Sequence, residues 1–288
     1  MTAAAYADEP DEPRRPSEVP QGAMATVTTE RQVADAILRV HADALDDIEG
    51  LRIAQQNRYR SLTNVWTYED SDGVQSYGLG LPEELPQVQR IAGQIDMLKQ
   101  QETLATRDLQ HAMRSHYLHS WITQAHGVGV KQGARLIAAI GDPAERPNHR
   151  MLWAYCGLHV LPHPDDPDVG IAPHHRRGVQ SNWDSQAQAR VHVIAESCIK
   201  QIGPKEGGGG TQRRSPYRDV YDDGREKYRF ANHKAPCRRC GPSGSPAQTG
   251  SPLSDGHQHA RALRLVKKAI LKDLWTAAVE TAHGQPDE

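Results

Sequence analysis

Residues 121–160 read WITQAHGVGVKQGARLIAAIGDPAERPNHRMLWAYCGLHV and form the predicted helical core. Within it, His126, Gly127, Val128 and Gly129 separate two helical patterns. The second pattern covers residues 130–140 and places Ala134, Ile137, Ala138 and Ile140 largely on one face. Because glycine lets the backbone turn tightly, the sequence predicts two helices joined by a short turn, the arrangement called a helix-hairpin-helix.

The turn has the chemistry of a phosphate-binding site. Free backbone N–H groups at the start of a helix carry partial positive charge and can bind an anion. We therefore expect the amides of Gly127, Gly129 and Val130 to hold one phosphate, with Lys131 adding a formal charge. The alternative is an ordinary turn between packed helices, because a G-x-G motif alone does not distinguish the two.

The residues after the turn extend the pattern. The order is Gly127-Val128-Gly129, Ala134-Arg135-Leu136, Ile140-Gly141-Asp142-Pro143 and Leu152-Trp153-Ala154-Tyr155-Cys156-Gly157-Leu158. This string resembles the C-terminal transposase domain of bacterial insertion-sequence transposases of the IS-one-ten group. With looser matches at residues 176–178 and 190–200, the resemblance covers residues 121–200 of 288.

The resemblance implies a helical core that engages DNA during transposition or site-specific recombination. It also implies DNA as the partner, a homo-oligomer, and either a guide RNA or a separate catalytic subunit. In that family the domain follows a RuvC-like domain with acidic metal ligands on a sheet. Residues 1–120 contain no strand-length β-branched run ending in Asp. We therefore expect a DNA-binding relative without the family's complete catalytic apparatus.

The family's serine nucleophile also has no counterpart at its usual place. The resemblance puts that serine in the loop after the Gly-Leu element, but residues 159–178 contain no Ser, Thr, Tyr or Cys. The best remaining candidate is Ser181, next to Arg176 and Arg177, which we also expect to contact DNA. Alternatively, Ser181 or Asp184 caps the following helix. Whether the protein is an active recombinase or nuclease therefore stays open.

A metal-dependent alternative lies in the same loop. Carboxylates at Asp165, Asp166 and Asp168, with imidazoles from His163, His174 and His175, are ligand types for a divalent metal. Mg²⁺ is therefore expected only if the protein is catalytic. Prolines and loop context favour a solvated acidic loop instead.

Composition limits the class of protein. The chain has 34 Lys+Arg against 36 Asp+Glu, so a basic surface requires local segregation of charge. There is no run of about 18 apolar residues and no leading basic-then-apolar signal, so we expect a cytoplasmic, nucleoid-associated protein. With one Phe and little alternation of apolar and polar residues, strands should be scarce and the fold mainly α.

The first 120 residues predict a tail and a helical hairpin. Residues 1–27 are acidic and proline-rich, which is typical of disorder. Residues 28–120 predict two long amphipathic helices around a loop at 58–82, packed as an antiparallel hairpin or used as a coiled coil. The first predicted stripe is Val33, Ile37, Val40, Ala44, Ile48 and Leu51, and the second is Val88, Ile91, Ile95, Leu98, Ala105, Leu109 and Ala112. The second helix is expected to extend to Gln124.

Residues 203–256 form a basic segment rich in Gly and Pro. Between Lys205 and Cys240 the chain carries ten Lys+Arg and five Asp+Glu, interleaved with Tyr and Phe. Cations can meet phosphates and rings can stack on bases, so Arg213 and Arg214 are candidate DNA contacts. The alternative is a solvated helix with internal ion pairs.

A C-x2-C knuckle closes this segment. Cys237 and Cys240, followed by Gly241, can aim two thiolates at one ion. Imidazoles of His257 and His259 could complete a tetrahedral structural zinc site, with His233 as an alternative ligand. The competing interpretation is a reduced surface dithiol. A zinc-stapled structural or interaction protein, whose hairpin does not touch DNA, is the third functional hypothesis beside DNA binding and catalysis.

The remaining segments are helical cores. Residues 121–202 hold the transposase-like core, in which Cys156 and Cys198 are expected to be buried. Residues 257–288 predict a closing helix and a frayed tail. Its predicted buried stripe is Leu263, Val266, Ile270, Leu274 and Ala278.

Overall fold

Helices dominate the chain, as the composition predicts. The structure, a computed structural model, describes residues 29–70, 73–163, 166–173, 177–203, 213–238, 240–242 and 245–283. The tail predicted over residues 1–27 lies outside the described residues. The elements in chain order are α1 (Glu30–Thr63), β1 (Trp66–Asp70), β2 (Gly73–Tyr77), α2 (Pro86–Arg114), α3 (His119–Gln124), α4 (Val130–Ile140), a 3-10 turn (Pro143–Glu145), α5 (His149–Tyr155), β3 (Leu161–His163), β4 (Asp166–Ile171), α6 (Ser185–Lys200), α7 (Pro216–Tyr228) and α8 (Asp255–His283).

Helices α1 and α2 form the predicted antiparallel pair. Near the middle of the pair, Arg52 of α1 makes an ion pair with Glu102 of α2. At the other end, Asp35 of α1 accepts a hydrogen bond from His116 at 2.9 Å, just after α2 ends. The predicted capping box is confirmed too, because the side chain of Thr29 accepts from Gln32 N at 3.2 Å.

The predicted stripe of α1 is wrong in register. Val33, Ile37, Val40 and Leu51 are exposed, Val40 by 67% and Leu51 by 57%. The buried face instead consists of Leu38, Ala42 and Leu45. Both sets repeat at helical spacing, so α1 is apolar on two faces, and packing against α2 and α4 selects the second.

Helix α2 ends earlier than predicted, at Arg114 rather than Gln124. The break is built around His116, whose Nδ1 accepts from the backbone N–H of Leu118 at 3.2 Å while Nε2 contacts Asp35. This local bond replaces the helical pattern, and the chain re-enters a helix at His119 as α3. The predicted a and d positions Val88, Ile95 and Leu109 are buried, as expected.

Two short antiparallel sheets occupy regions expected to be loops. Strands β1 and β2 pair within the predicted loop at 58–82, with Trp66 opposite Tyr77 and their rings stacked at 5.2 Å. Strands β3 and β4 pair within residues 159–178, with Leu161 opposite Ile171. Both pairs are short and involve few apolar residues, which is why alternation was not visible in the sequence.

Helix α4 lies at the centre of the core and has the predicted bounds. Leu136 and Ile137 are fully buried, and the helix packs against α1, α2 and α6. Gly133 allows α3 to approach closely, because a Cβ there would lie 2.8 Å from Cδ1 of Ile122. Cys156 and Cys198 are buried in the same core, as predicted.

Candidate nucleic-acid interface and metal centre

The turn between α3 and α4 is closed by residues 125–129. Val128 N donates to Ala125 O at 2.9 Å, and Gly127 has a φ of 100°. A Cβ on Gly127 would lie 3.1 Å from Cys198 Sγ and 3.2 Å from Ser215 Oγ. Gly127 is therefore required by the backbone conformation and by its packing against α6 and the start of α7.

Gly129 serves a different purpose. It is exposed, has an extended backbone at φ −70° and ψ 141°, and precedes α4 as its N-cap residue. No side chain caps the helix there, and a Cβ on Gly129 would have no heavy atom within 4 Å among the described residues. The first N–H groups of α4 therefore begin at an open surface.

The turn and the basic segment are brought together by two hydrogen bonds. Nε2 of His126 donates to the carbonyl of Arg213 at 2.6 Å. Ser215 Oγ donates to the carbonyl of His126 at 2.6 Å. The backbone of the exposed Arg213 therefore lies beside the turn, although Arg213 is 84 positions after Gly129 in the sequence.

Lys131 is held by two carboxylates. Its Nζ donates to Glu49 Oε1 at 2.6 Å and lies 3.7 Å from Glu102 Oε1. The Lys131 ammonium group, which we expect to contact a phosphate, is therefore neutralised by carboxylates of the same molecule.

Glu49 belongs to a wider ion-pair network between α1, α4 and α6. Arg135, only 4% exposed, donates to Asp46 at 2.7 Å and to Glu49 at 2.5 Å. Arg190 of α6 donates to the other oxygen of Asp46 at 2.5 Å. Burial opposes ionisation of Glu49, but hydrogen bonds from Arg135 and Lys131 outweigh it and lower the pKa of Glu49 to about 2.

Four arginines in and beside α7 are paired with carboxylates. The ion pairs are Arg214 with Asp219 and Asp222, Arg218 with Asp222, Arg225 with Asp255, and Arg229 with Glu226. Arg214, a candidate DNA contact, is thus paired with two carboxylates at 2.7 and 2.8 Å. Exposed pairs of this kind contribute little stability and can exchange partners.

The region around Ser181 is only partly described. Ser181 is half-buried, Arg177 is exposed, and Arg176 lies outside the described residues. Asp184 is the N-cap residue of α6, because its side chain accepts from Ala187 N at 2.7 Å. The nucleophilic role of Ser181 stays a prediction. The loop carboxylates considered for Mg²⁺ lie outside the residues whose side chains are described.

The C-x2-C segment is folded into a knuckle by backbone pairing. Cys237 and Ala247 exchange N–H to carbonyl hydrogen bonds of 3.0 and 2.8 Å, and His233 N donates to Ser251 O at 2.9 Å. Gly241 makes the return possible, since a Cβ there would lie 1.8 Å from Ser245 O. This pairing brings Cys237 and Cys240 against His257 at the start of α8.

Four metal-type ligands converge in this knuckle. His233, Cys237, Cys240 and His257 each offer one ligand atom, and all four atoms lie within 4.8 Å of one another. Nδ1 of His257 lies 3.2 Å from Cys240 Sγ and 3.7 Å from Cys237 Sγ. Tetrahedral zinc requires sulfur-to-nitrogen separations of about 3.5 Å. The cluster can therefore bind a metal ion.

His233, rather than His259, lies with Cys237, Cys240 and His257 in this cluster. Nδ1 of His233 donates to Ser251 O at 2.8 Å, and its Nε2 is buried without a hydrogen-bond partner among the described residues. A backbone bond of this kind orients metal-binding histidines. His259 instead contacts the Tyr221 hydroxyl at 2.7 Å. Residues 257 and 259 of one helix point in different directions, so they cannot share a site.

The thiol of Cys240 is poised for deprotonation. Desolvation raises its pKa, but hydrogen bonds from Ser254 and neighbouring groups outweigh it and lower the pKa of Cys240 to about 7. Its Sγ lies 3.0 Å from Ser254 Oγ. Thiolate is the form that binds metals.

A groove beside the knuckle is lined by the α8 cations Arg261, Arg264, Lys267 and Lys268. The sequence predicts a cationic row at Arg264, Lys268 and Lys272 on this helix, but it does not reveal the groove. Their spacing of three, three and one residues places them on adjacent helical rows, and this was the available signal. The groove has no local motif, since its other wall comes from residues far apart in the chain.

Comparison with known proteins does not assign the chain to a family. No family model matches the chain, and no curated protein or solved structure shows significant similarity to it. Among the described residues, no helix has the length and apolar content required to cross a membrane.

Proposed function

We propose that the protein binds DNA in transposition or site-specific recombination, and that it does so without the complete catalytic apparatus of the transposases it resembles. The fold class is a mainly helical protein in which a helix-hairpin-helix, α3 and α4, contacts the DNA backbone. Cutting would then be supplied by a separate catalytic subunit or a guide-RNA complex. Homo-oligomerisation and association with the nucleoid belong to the same proposal.

One observation carries the proposal: the uncapped start of α4 opens to solvent beside Arg213. Gly129 leaves room for an oxygen to approach the first amides of α4, and the His126 to Arg213 hydrogen bond of 2.6 Å fixes the two parts together. Phosphate oxygens accept hydrogen bonds from the amides at the positive end of a helix dipole and from an adjacent guanidinium group.

Contacts of this kind position DNA without reading its bases. The expected binding is therefore salt-sensitive with modest sequence preference. Lys131 would add to the contact only if a phosphate displaced Glu49, which now accepts from it at 2.6 Å.

We further propose that the knuckle holds structural zinc. Two thiolates and two imidazoles form a closed tetrahedral set with no position for a substrate, so the ion would stabilise the knuckle rather than catalyse a reaction. His233, Cys237, Cys240 and His257 would hold it. The unpartnered, buried Nε2 of His233 supports this assignment.

Substitutions of Gly129 test the DNA contact sharply. Aspartate is a better N-cap than glycine and would bind the α4 amides itself, so Gly129→Asp should keep or slightly raise stability. The same carboxylate would occupy the anion position and repel phosphate. We expect DNA affinity to fall at least tenfold in a fluorescence anisotropy titration, the loss of about 1.4 kcal/mol of binding free energy.

Gly129→Asn is the matched control for charge. It caps α4 through an oxygen of the same size but carries no charge, so affinity should fall less than with Gly129→Asp. Arg213→Gln should also weaken binding, whereas Arg229→Gln, in a pair with Glu226, should not. Equal affinity of wild type and Gly129→Asp would contradict the proposed contact.

A zinc-stapled interaction protein is the second candidate. The pairing of Lys131 with Glu49 and Glu102 favours it, because the lysine expected to meet phosphate is engaged internally. Such a protein would bind zinc but show no salt-dependent DNA affinity between about 50 and 200 mM salt. The titration above therefore decides between the two functions.

A further inference from the structure

A groove of about 1000 Å³ runs along the first half of α8. One wall is α8 itself, and the others come from the knuckle, α6 and residues 170–173. The metal-type ligands His233, Cys237 and His257 lie along its edge, so the knuckle fixes Lys234 at the rim. We call this feature the α8 groove.

Positive charge is concentrated in the α8 groove. Its cations are Lys234, Arg261, Arg264, Lys267 and Lys268, and among the lining residues whose side chains are described the single carboxylate is Glu196. The carboxylate of Glu196 lies 3.6 Å from His192 and 3.9 Å from Lys200, so it pairs with residues of its own helix α6 and not with the cations of α8. The chain as a whole carries a net charge of −2, which makes this local excess of cations distinctive.

The partners of these cations are uncharged. Arg264 donates to the carbonyl of His159 at 2.7 Å. Lys268 Nζ lies 4.8 Å from the centre of the Trp153 ring, and Arg261 lies 5.6 Å from that of Tyr228. Among the described residues, none of the α8 cations in the groove forms an ion pair with a carboxylate. Arg135 and Arg190, by contrast, are both neutralised by Asp46.

Burial and mutual repulsion act against these charges. Burial lowers the pKa of Arg264, and burial with the nearby Arg264 charge lowers the pKa of Lys267 and of Lys268. Half-buried cations without a counter-ion are unfavourable in the free protein. An anion entering the groove would remove that cost, which is how binding sites for charged ligands are commonly built.

We infer that the α8 groove binds the phosphate backbone of a DNA strand, with Arg264 and Lys267 as its central contacts. This inference rests on the proposed function and adds to it a second DNA-contacting surface, apart from the turn at Gly129. Trp153 and Tyr228 hold two of the cations in place, so the groove is ordered before the ligand arrives.

The dimensions favour a polymer over a single phosphate. From Arg261 to Lys268 the helix rises about 10 Å at 1.5 Å per residue. Phosphates of one DNA strand recur every ~3.4 Å along the duplex axis. Because the strand winds around that axis, its neighbouring phosphates lie farther apart than this, so the row of cations spans about two of them. A lone phosphate or a mononucleotide would engage only part of this row.

The test is an anisotropy titration of the zinc-loaded full chain with a short fluorescein-labelled DNA duplex, repeated at several salt concentrations. Arg264→Gln and Lys267→Gln should each weaken binding about five- to tenfold and reduce the slope of log K against log salt by about one. Lys272→Gln is the matched control, because Lys272 is exposed on α8 and does not line the groove. It should leave affinity and slope unchanged.

Thermal unfolding of each variant distinguishes binding from structure. Lys267→Gln removes a half-buried charge without an ion pair, so it should leave the melting temperature unchanged or raise it, whereas loss of a structural cation would lower it. Arg264→Gln also removes the hydrogen bond to His159, so a small decrease is expected for that variant. If Lys267→Gln does not fold, Arg261→Gln provides the second measurement. Wild-type affinity and slope in both groove variants would overturn the inference while leaving DNA binding at Gly129 intact. Full competition by ATP would reassign the groove to a mononucleotide. Failure of the wild type to bind DNA would overturn the proposed function as well.

Discussion

Lys131 Nζ donates to Glu49 Oε1 at 2.6 Å, joining the start of α4 to the middle of α1. Arg135, one turn further along α4, donates to the second oxygen of Glu49 at 2.5 Å. Glu49 therefore ties both cations of α4 to α1. Lys131, which we expect to approach DNA, therefore also helps to hold α4 in the core.

Glu49→Gln should separate these two roles. Losing the charge weakens hydrogen bonds to Lys131 and to the buried Arg135, so we expect the free energy of unfolding to fall by about 1–3 kcal/mol. If the start of α4 contacts DNA, the released Lys131 and the lost negative charge should also strengthen DNA binding. Urea denaturation and anisotropy titration measure the two effects on the same preparation.

The control for this substitution is Asp47→Asn. Asp47 is exposed on α1, and no ion pair to it is found among the described residues. Asp47→Asn removes one negative charge from α1, as Glu49→Gln does, so a general electrostatic effect would change DNA affinity equally in both variants. Stability should stay within about 0.5 kcal/mol of wild type. Equal stability of Glu49→Gln and wild type would show that the network does not hold α4.

Acid should weaken the fold through the same carboxylate. The pKa of Glu49 is about 2 in the folded state against an ordinary value of 4.5, so the unfolded chain binds the proton more readily. The contribution of Glu49 is therefore fully present above pH 4.5 and is lost as the pH falls toward 2. Urea midpoints across this range should decline less steeply in Glu49→Gln. Parallel decline in both proteins would assign the acid sensitivity to other groups.

Helix boundaries were predictable where one apolar face and one turn agreed. The bounds of α4 follow from Gly129 and from the stripe ending at Ile140. The face of α1 was not predictable, because Val33, Ile37 and Val40 repeat as regularly as Leu38, Ala42 and Leu45. Only tertiary contact with α2 and α4 decides between two equivalent stripes.

The metal cluster shows the same limit at the level of a site. Cys237 and Cys240 were predictable from local spacing, because two ligands three residues apart meet within one turn. The choice of His233 over His259 depends on backbone pairing between residues 232–237 and 247–252, which no local pattern reveals. The cations of the α8 groove depend in the same way on a wall assembled from distant segments.

A pair of histidine substitutions tests the ligand assignment. His233→Asn should lower the zinc content of purified protein well below one equivalent and lower the melting temperature. His259→Asn should keep the zinc, because His259 contacts Tyr221 rather than the cluster. Elemental analysis with a parallel melting scan measures both. Removal of metal by a strong chelator should destabilise wild type and His259→Asn but not His233→Asn. Retention of zinc by His233→Asn would return the fourth position to another ligand.

The turn glycine Gly127 should be sensitive to substitution. In Gly127→Ala, alanine must adopt a φ of 100°, and its Cβ would lie 3.1 Å from Cys198 Sγ. We therefore expect the free energy of unfolding to fall by about 1–3 kcal/mol. Gly93→Ala is the control with the opposite sign, because Gly93 is exposed within α2 and a Cβ there meets nothing. Alanine should stabilise that helix by about 0.5–1 kcal/mol. Equal melting temperatures of the two variants would contradict the tight packing of the turn.

The two apolar faces of α1 should respond oppositely to substitution. Leu38 is 0% exposed, so Leu38→Ala should cost about 2–5 kcal/mol, whereas Val40→Ala should stay within about 0.5 kcal/mol. The exposed face repeats as Val33, Ile37, Val40, Ala44 and Leu51, the interval pattern of a coiled-coil seam. If a second copy covers this seam, the double variant Ile37→Glu, Val40→Glu should convert a dimer to a monomer in analytical ultracentrifugation without lowering stability. A wild type that sediments as a monomer at all concentrations would contradict the proposed homo-oligomer.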